Sequence, residues 1–369
     1  MNKGILRRLF PGGNTCQGFY SLYHHMIEPD ATRIFVIKGG PGVGKSTFMR
    51  RIGEAMLEQG YEVEFHCCSS DNNSLDGVVI PALRIALLDG TAPHGVDPKN
   101  PGAVDEIIHL GDHWQEDMLR ANKTAIMESN ARVGRLFVIA YQALAEAKIV
   151  LDEWESYLQE SQNFPQVNRL TLKLEEEIFA DIKPQFIRPA KIRRLFASAI
   201  TPLGPVNSWD TLLIGVDKIF VLQGDPGTGK STLIERLLTR AQLLGLDCQA
   251  YHCSFDPTKL DGIIIPALKV AVINGNIPSD LQLPATATIY NLNDYLNRQR
   301  LSLYTTEIDS VKGRFWTSFY RAVKYIKEAK AEHDRMETYY IPAMDFTAIN
   351  QRREEILNRI LQYAEETKN

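Results

Sequence analysis

Ile34-Phe35-Val36-Ile37-Lys38-Gly39-Gly40-Pro41-Gly42-Val43-Gly44-Lys45-Ser46-Thr47 reads as an apolar run, a glycine-rich loop and the first turn of a helix. Ile219-Phe220-Val221-Leu222-Gln223-Gly224-Asp225-Pro226-Gly227-Thr228-Gly229-Lys230-Ser231-Thr232 repeats it 185 residues later. The correspondence runs without a gap from Ile34 to Gly90 and from Ile219 to Gly275, with 24 identities in 57 positions. Outside that stretch, Arg7-Arg8-Leu9-Phe10 returns as Arg193-Arg194-Leu195-Phe196 at an offset of 186. Leu110 and Asp112 return as Leu292 and Asp294, and Glu146-Ala147-Lys148 as Glu328-Ala329-Lys330, at an offset of 182. A period of this length is domain-sized, so the chain reads as a tandem duplication and not a solenoid. The halves are residues 1–187 and 188–369, with the junction near Pro184 to Pro189.

Each half carries the same signals. Arg33 to Lys38 and Lys218 to Gln223 are β-rich runs that enter the glycine loop. Helices are expected over Ser46–Gln59 and Ser231–Leu244, ended by Gly60 and Gly245. Second strands are expected at Glu62–Cys67 and Cys248–Cys253. Leu75–Leu83 reads as a short helix broken near Pro81, and Arg84–Leu88 and Lys269–Ile273 as third strands. Alternating strands and helices predict an α/β fold, a parallel sheet sandwiched by helices in each half. Beyond it, Phe137, Tyr141, Leu144, Leu151, Trp154 and Leu158 keep a helical spacing. Pro165 is expected to stop that helix, and a second to run from about Asn168 to Ile182, with Pro342 the stop in the other half. The result is a helical hairpin appended to each half and expected to pack on its α/β core.

The composition is that of a globular protein: 369 residues, 44% hydrophobic, 23% charged, 25 Gly and 18 Pro. Lys and Arg total 41 against 45 Asp and Glu, a net charge of −4, so neither nucleic acid nor an anionic membrane is the expected partner. The longest apolar stretch, Gly77 to Leu88, is interrupted by Pro81 and Arg84 and is too short to span a bilayer. Pro11-Gly12-Gly13 cuts off any signal-peptide core, and five cysteines without a C-x-x-C pair suggest no disulfide scaffold. A cytoplasmic location is the simplest expectation.

Gly39 to Ser46 and Gly224 to Ser231 both fit G-x-x-x-x-G-K-[ST], each between a β run and a helix. On these motifs both halves resemble the P-loop NTPase superfamily, and more narrowly a bacterial family of tandem-duplicated P-loop ATPases of unassigned role. The resemblance implies that the glycines turn backbone N–H groups around a phosphate at a helix N-terminus. Lys45 and Lys230 are then expected to reach the β- and γ-phosphates of ATP. Ser46 and Ser231 are expected to place hydroxyls on Mg²⁺, with Thr47 and Thr232 completing the two binding stretches.

Such a site also needs a carboxylate at the tip of a neighbouring strand. Ile85-Ala86-Leu87-Leu88-Asp89 supplies one, whereas Val270-Ala271-Val272-Ile273-Asn274 offers an uncharged amide, which weakens the second metal site. Gly90 and Gly275 follow, so no Glu stands beside the acid to polarise water. Asp89-Gly90-Thr91-Ala92-Pro93 is similar to the Asp-Gly-x-Pro step of adenylate-kinase-like enzymes. Asp71, after the second strand, is the first candidate for orienting water or an acceptor hydroxyl, with an Asx turn the alternative reading. Asp76, Asp256 and Asp261 repeat the pattern.

Weaker signals fall short of a site. His94, His109 and His113 match no standard zinc spacing. Cys67, Cys68 and Cys253 end apolar strands and read as buried hydrophobes. Arg132 and Arg314 could reach a γ-phosphate, although helix-surface ion pairs explain them better. Thr258-Lys259-Leu260-Asp261 comes too early in the chain to read guanine, which favours ATP over GTP. The expected function is therefore Mg²⁺-dependent ATP binding at two sites, with hydrolysis mainly at the first and Lys45, Asp89 and Asp71 as its catalytic residues. A small-molecule or nucleotide kinase and a slow-turnover regulatory switch are the alternatives, leaving a metabolite acceptor or a protein as further partners.

Overall fold

The computed structural model describes residues 3–91, 95–185, 187–275 and 283–367. The first half opens with β1 (Leu6–Leu9), β2 (Gly12–Thr15), β3 (Gly18–Ser21) and β4 (Arg33–Lys38), then α1 (Lys45–Glu58). It continues through β5 (Val63–Cys67), β6 (Leu75–Ile80), β7 (Ile85–Asp89) and β8 (Asp105–His109). Three helices close it: α2 (Glu116–Ala121), α3 (Lys123–Ser161) and α4 (Phe164–Phe179). The second half repeats the plan with β9 (Ile192–Phe196), β10 (Ser198–Thr201), β11 (Gly204–Asn207), α5 (Trp209–Leu212), β12 (Lys218–Gln223) and α6 (Lys230–Leu243). β13 (Cys248–His252), β14 (Leu260–Ile265), β15 (Val270–Asn274) and β16 (Thr288–Asn291) follow. It ends with α7 (Arg298–Leu301), α8 (Thr305–Tyr340) and α9 (Phe346–Glu366).

The two halves are repeated α/β domains. Each holds a six-stranded sheet in the same order, β1-β5-β6-β7-β4-β8 and β9-β13-β14-β15-β12-β16. β4 lies parallel to both β7 and β8, but β6 runs antiparallel to β5 and β7, so the sheets are mixed and not parallel. The helix expected at Leu75–Leu83 is this strand. All six residues of Leu75-Asp76-Gly77-Val78-Val79-Ile80 are buried, which suits a central strand covered on both faces better than a helix with one wet side. A single turn at Pro81–Leu83 and a left-handed Arg84 (φ 56°) then reverse the chain into β7, and Lys269 (φ 51°) does the same before β15.

Residue alternation assigns the two faces of each sheet. Phe35, Ile37, Ile85 and Leu87 pack with Phe48, Met49, Ile52 and Met56 of α1. Ile34, Val36, Ala86 and Leu88 pack on the other side with Tyr23 and Met26. α1 shares its face with Met344, Ile349, Ile356 and Ile360, which belong to the second half. Conversely, Val167, Leu170, Leu174 and Ile178 of α4 pack with α6 and the sheet of the second half. The hairpins are thus exchanged: each final helix completes the core of the opposite half, where the sequence pattern suggested its own. Pro342 follows the end of α8 at Tyr340 as expected, but Pro165 does not end α3. It opens α4, in the first turn behind an Asn163 cap on the Gln166 amide.

Equivalent residues meet across the duplication. The Phe10 amide donates to the Phe196 carbonyl at 2.9 Å, and the Phe196 amide to the Phe10 carbonyl at 3.0 Å. Gln115 N–H bonds the Ala343 carbonyl and Asn297 N–H the Ser161 carbonyl, again equivalent pairs. Arg7 donates to the carbonyls of Thr211 and Leu212, and Arg193 to those of His25 and Met26. Arg193 also holds the buried Glu64 through two bonds of 2.6 Å. Burial pushes the Glu64 carboxyl up, but the guanidinium and His66 outweigh it and hold it below the usual carboxylate range. Such reciprocal contacts are those of an isologous interface. The long helices α3 and α8 lie against each other, packing Leu144, Leu151, Trp154 and Leu158 with Val311, Phe315, Phe319 and Ile326. No described helix is long and apolar enough to cross a membrane.

The exchange is open to a direct check. Leu174 is fully buried, so Leu174→Ala is expected to cost about 2–5 kcal/mol. Hydrogen exchange of the variant should show lost protection in α6, whereas a hairpin packed on its own half would transfer the loss to α1.

Candidate functional site

β4 and β12 end at the carboxyl edge of their sheets, and each glycine loop turns there into a helix. Gly42 (φ 66°) and Gly44 (φ 86°), and their counterparts Gly227 (φ 80°) and Gly229 (φ 99°), adopt left-handed backbone that a side chain would strain. Between them Val43 and Thr228 are fully buried and pin each loop to the core. No side chain caps α1 or α6 at their N-cap glycines, Gly44 and Gly229.

Each loop is roofed by the opposite half. A Cβ built on Gly40 would lie 2.8 Å from the Tyr340 ring, and one on Gly227 would lie 2.6 Å from the Glu155 carbonyl oxygen. The Gly42 amide donates to Glu337 Oε1 at 3.2 Å. Its counterpart Glu155 instead accepts from Lys259 Nζ at 2.5 Å. Gln162, from the end of α3, donates to the carbonyls of Thr228 and Leu292. The Asp225 amide donates to Asn293 Oδ1, a partner that Gly111 cannot supply in the first half.

The structure brings Lys45, Ser46 and Asp89 together. Lys45 Nζ donates to the carbonyls of Gly39 and Gly40 at 3.0 and 2.9 Å and lies 3.8 Å from Asp89 Oδ2. Ser46 Oγ accepts the Leu75 amide. Asp89 Oδ1 accepts the Thr91 amide, so the acid also closes the turn with Gly90. Thr47 and Thr232 lie outermost, both exposed. Across the ladder, Gly77 pairs with Leu88 and Gly262 with Ile273, which sets Asp76 beside Asp89 and Asp261 beside Asn274. Asn274 donates to Asp261 Oδ1 at 3.1 Å. The second half therefore keeps a carboxylate at this edge, one strand further from its loop. Burial raises the Asp261 carboxyl above its ordinary value.

Asp71 is held by its own turn, accepting from the Asn73 amide and the Ser74 hydroxyl, as the alternative sequence reading had it. It also faces Lys330 of α8 at 3.3 Å, and Asp256 faces Lys148 of α3 at 3.6 Å. Burial pushes the Asp71 carboxyl up, yet these amide, hydroxyl and ammonium partners leave it below the usual range. Burial likewise opposes the charge of the two lysines, but Asp334 and Asp71, or Asp152 and Asp256, hold them above the ordinary lysine value. In the sequence, Lys148 and Lys330 stand out only as markers of the repeat. Their preservation seven residues before Glu155 and Glu337, on one helical face, was the signal that both helices touch a site.

Other candidates fall away. Arg132 pairs with the buried Glu332 and Arg314 with the partly exposed Glu153, along the α3–α8 seam. His109 pairs with Asp112, and the only described group of three metal-type side chains is His333, Asp334 and Glu337 on α8. His94, with Ala92 and Pro93, lies outside the described residues. Burial pushes the thiols of Cys67, Cys68 and Cys253 up, which fits inert packing. Lys259 and Asp261 serve Glu155 and Asn274.

The donor set fits Mg²⁺ and a phosphate chain better at the first loop than at the second. Ser46 and Asp89 offer hard oxygens with one negative charge, while Ser231 and Asn274 offer only neutral oxygens, with Asp261 behind. Comparison of the chain with protein-family models, curated proteins and solved structures finds no match.

Lys230 gives the second loop a pH signature. It is 8% exposed, donates to the carbonyls of Gly224 and Asp225, and burial pushes it down to about 8. An anion bound there favours the charged form, so affinity should be level below pH 8 and fall about tenfold per unit above it. Calorimetry with inorganic phosphate in a Lys45→Ala background, from pH 7 to 10, checks this. Lys230→Arg, which keeps its proton, should flatten the profile; a profile unchanged by that substitution assigns the titration elsewhere.

Proposed function

We propose that the chain is a Mg²⁺-dependent ATP-binding protein with two P-loop sites, hydrolysing ATP mainly at the first. The observation that carries this reading is the convergence, at one sheet edge, of a left-handed glycine loop, Lys45, Ser46 and Asp89. Loop amides and Lys45 bind and orient the triphosphate, and Ser46 with Asp89 would hold the metal. Bound Mg²⁺ supplies neutralisation of phosphate charge. Asp71, kept ionised by Lys330 and its own turn, orients the attacking water and is too weak a base to take its proton fully. Lys330 adds positive charge from the opposite half. Asn274 leaves the second site short of one anion, and a poorly held metal lowers rate more than binding.

Two further readings each draw on one observation. A cavity of about 530 Å³ beside the second loop has room for an organic phosphoryl acceptor, as a kinase requires. The Glu337 bond to the Gly42 amide joins the first loop to the opposite half, which a nucleotide-driven switch would use.

Steady-state hydrolysis and nucleotide stoichiometry test the assignment. Lys45→Ala or Asp89→Asn should remove most turnover, roughly two orders of magnitude or about 3 kcal/mol at the transition state. Lys230→Ala should remove one bound nucleotide and leave much of the turnover, while Asn274→Asp should raise second-site activity. Turnover abolished by Lys230→Ala and spared by Lys45→Ala would reverse the assignment.

A further inference from the structure

The two sites, built on one repeated scaffold, differ most in what stands opposite the loop. At the second loop a cavity of about 530 Å³ runs from Lys230 and Ser231 to a wall that includes Trp154, Ile200, Phe255, Phe315 and Trp316. Both halves build it, Trp154 coming from α3 and Phe315 and Trp316 from α8. The counterparts at the first site are Met336, Asn14, Ser70, Val133 and Gly134, by the offsets of 182, 186 and 185 that relate the repeats. A Cβ built on Gly134 meets nothing within 4 Å, so no side chain replaces the Trp316 indole there. Trp154, Phe255, Phe315 and Trp316 thus have no aromatic counterpart at the first site, whereas the lining residue Phe319 has one in Phe137. Trp154 is 7% exposed, and its buried indole N–H has no hydrogen-bond partner among the described residues, so the residue meets the cavity through its ring. Lys312 lies over the same ring at 5.3 Å from outside the cavity lining.

We infer that the second loop, besides accepting ATP, prefers the phosphate of an organophosphate whose flat apolar ring lies against Trp154, Trp316 and Phe315. The inference rests on the reading of Gly224–Ser231 as an anion cradle. Three features of the cavity combine to select such a molecule. Lys230 and the loop amides recognise a phosphate monoester, the volume falls in the range of small-molecule sites, and the rings offer stacking surface that an inorganic anion cannot use. A purely structural aromatic cluster would fill its own volume instead of leaving a chamber open to the loop.

The probe is 1-naphthyl phosphate, followed by quenching of tryptophan fluorescence in the Lys45→Ala chain, with inorganic phosphate, 1-naphthol and ATP as comparators. One equivalent should bind, at least tenfold tighter than phosphate or naphthol and tighter than ATP. Trp316→Leu, which keeps an apolar residue on the helix, and Lys230→Ala should each weaken it tenfold or more, with helical circular dichroism confirming the fold. Equal affinity for naphthol, tighter binding of ATP, or indifference to both substitutions overturns the inference. ATP stoichiometry separates the two readings. If Lys45→Ala and Lys230→Ala both leave it unchanged, the loops are not phosphate cradles; if it falls with each and the naphthyl ester still fails to bind, only the chamber is refuted.

Discussion

The apolar face that β4 and β7 turn toward α1 is finished by α9 of the opposite half, and α4 does the same for β12 and β15. Neither half can bury its sheet alone, because Ile349, Ile356 and Ile360 on one side, and Val167, Leu170 and Leu174 on the other, would face water if the halves parted. Burial of apolar surface is the dominant favourable term in folding, so the exchange ties the stability of each domain to the presence of the other. It also determines geometry. To reach the far core, α3 and α8 must run side by side, and their ends come to rest over the opposite glycine loops. Tyr340 and Glu337 cover Gly40 and Gly42 for this reason, as Glu155 covers Gly227.

Duplication supplied two copies of one scaffold, and side-chain changes at a few positions separate them chemically. Asp89 with Asp76 against Asn274 with Asp261 changes the charge at the strand tip without moving the backbone. Glu337 and Glu155 occupy equivalent places but choose different partners, a loop amide in one case and Lys259 in the other, because Ser74 stands where Lys259 does. Trp154, Phe255, Phe315 and Trp316 around the second loop stand where the first site has Met336, Ser70, Val133 and Gly134. The first loop thus has a carboxylate at the adjacent strand tip, and the second faces an apolar cavity.

Much of this was legible in the residues. The loop pattern, the strand before it, the helix after it and the acid at Asp89 are local features, and local sequence determines them: α1 begins at Lys45 and Gly60 follows its end with φ 87°. The strand at Leu75–Ile80 was not legible as such, since a six-residue stretch, apolar but for Asp76, has no period that distinguishes a buried strand from a helix. The exchange of α4 and α9 was hidden for a different reason. Periodicity shows which face of a helix is apolar, and in a duplicated chain either core offers that face a matching surface. Lys148 and Lys330 were visible only as a repeat marker, because their partners Asp256 and Asp71 lie in the other half.

The central claim is that each glycine loop is completed by the helix of the opposite half, and ATP turnover in Lys330→Ala and Lys148→Ala tests it most directly. Lys330 belongs to the second half in sequence but reaches Asp71 at the first site. Its removal should therefore lower turnover by about tenfold or more, the scale of losing one positioned charge near a developing anion. Lys148→Ala, acting at the second loop, should leave turnover within about twofold. The opposite pattern, with Lys148→Ala inactive and Lys330→Ala unaffected, would contradict the account.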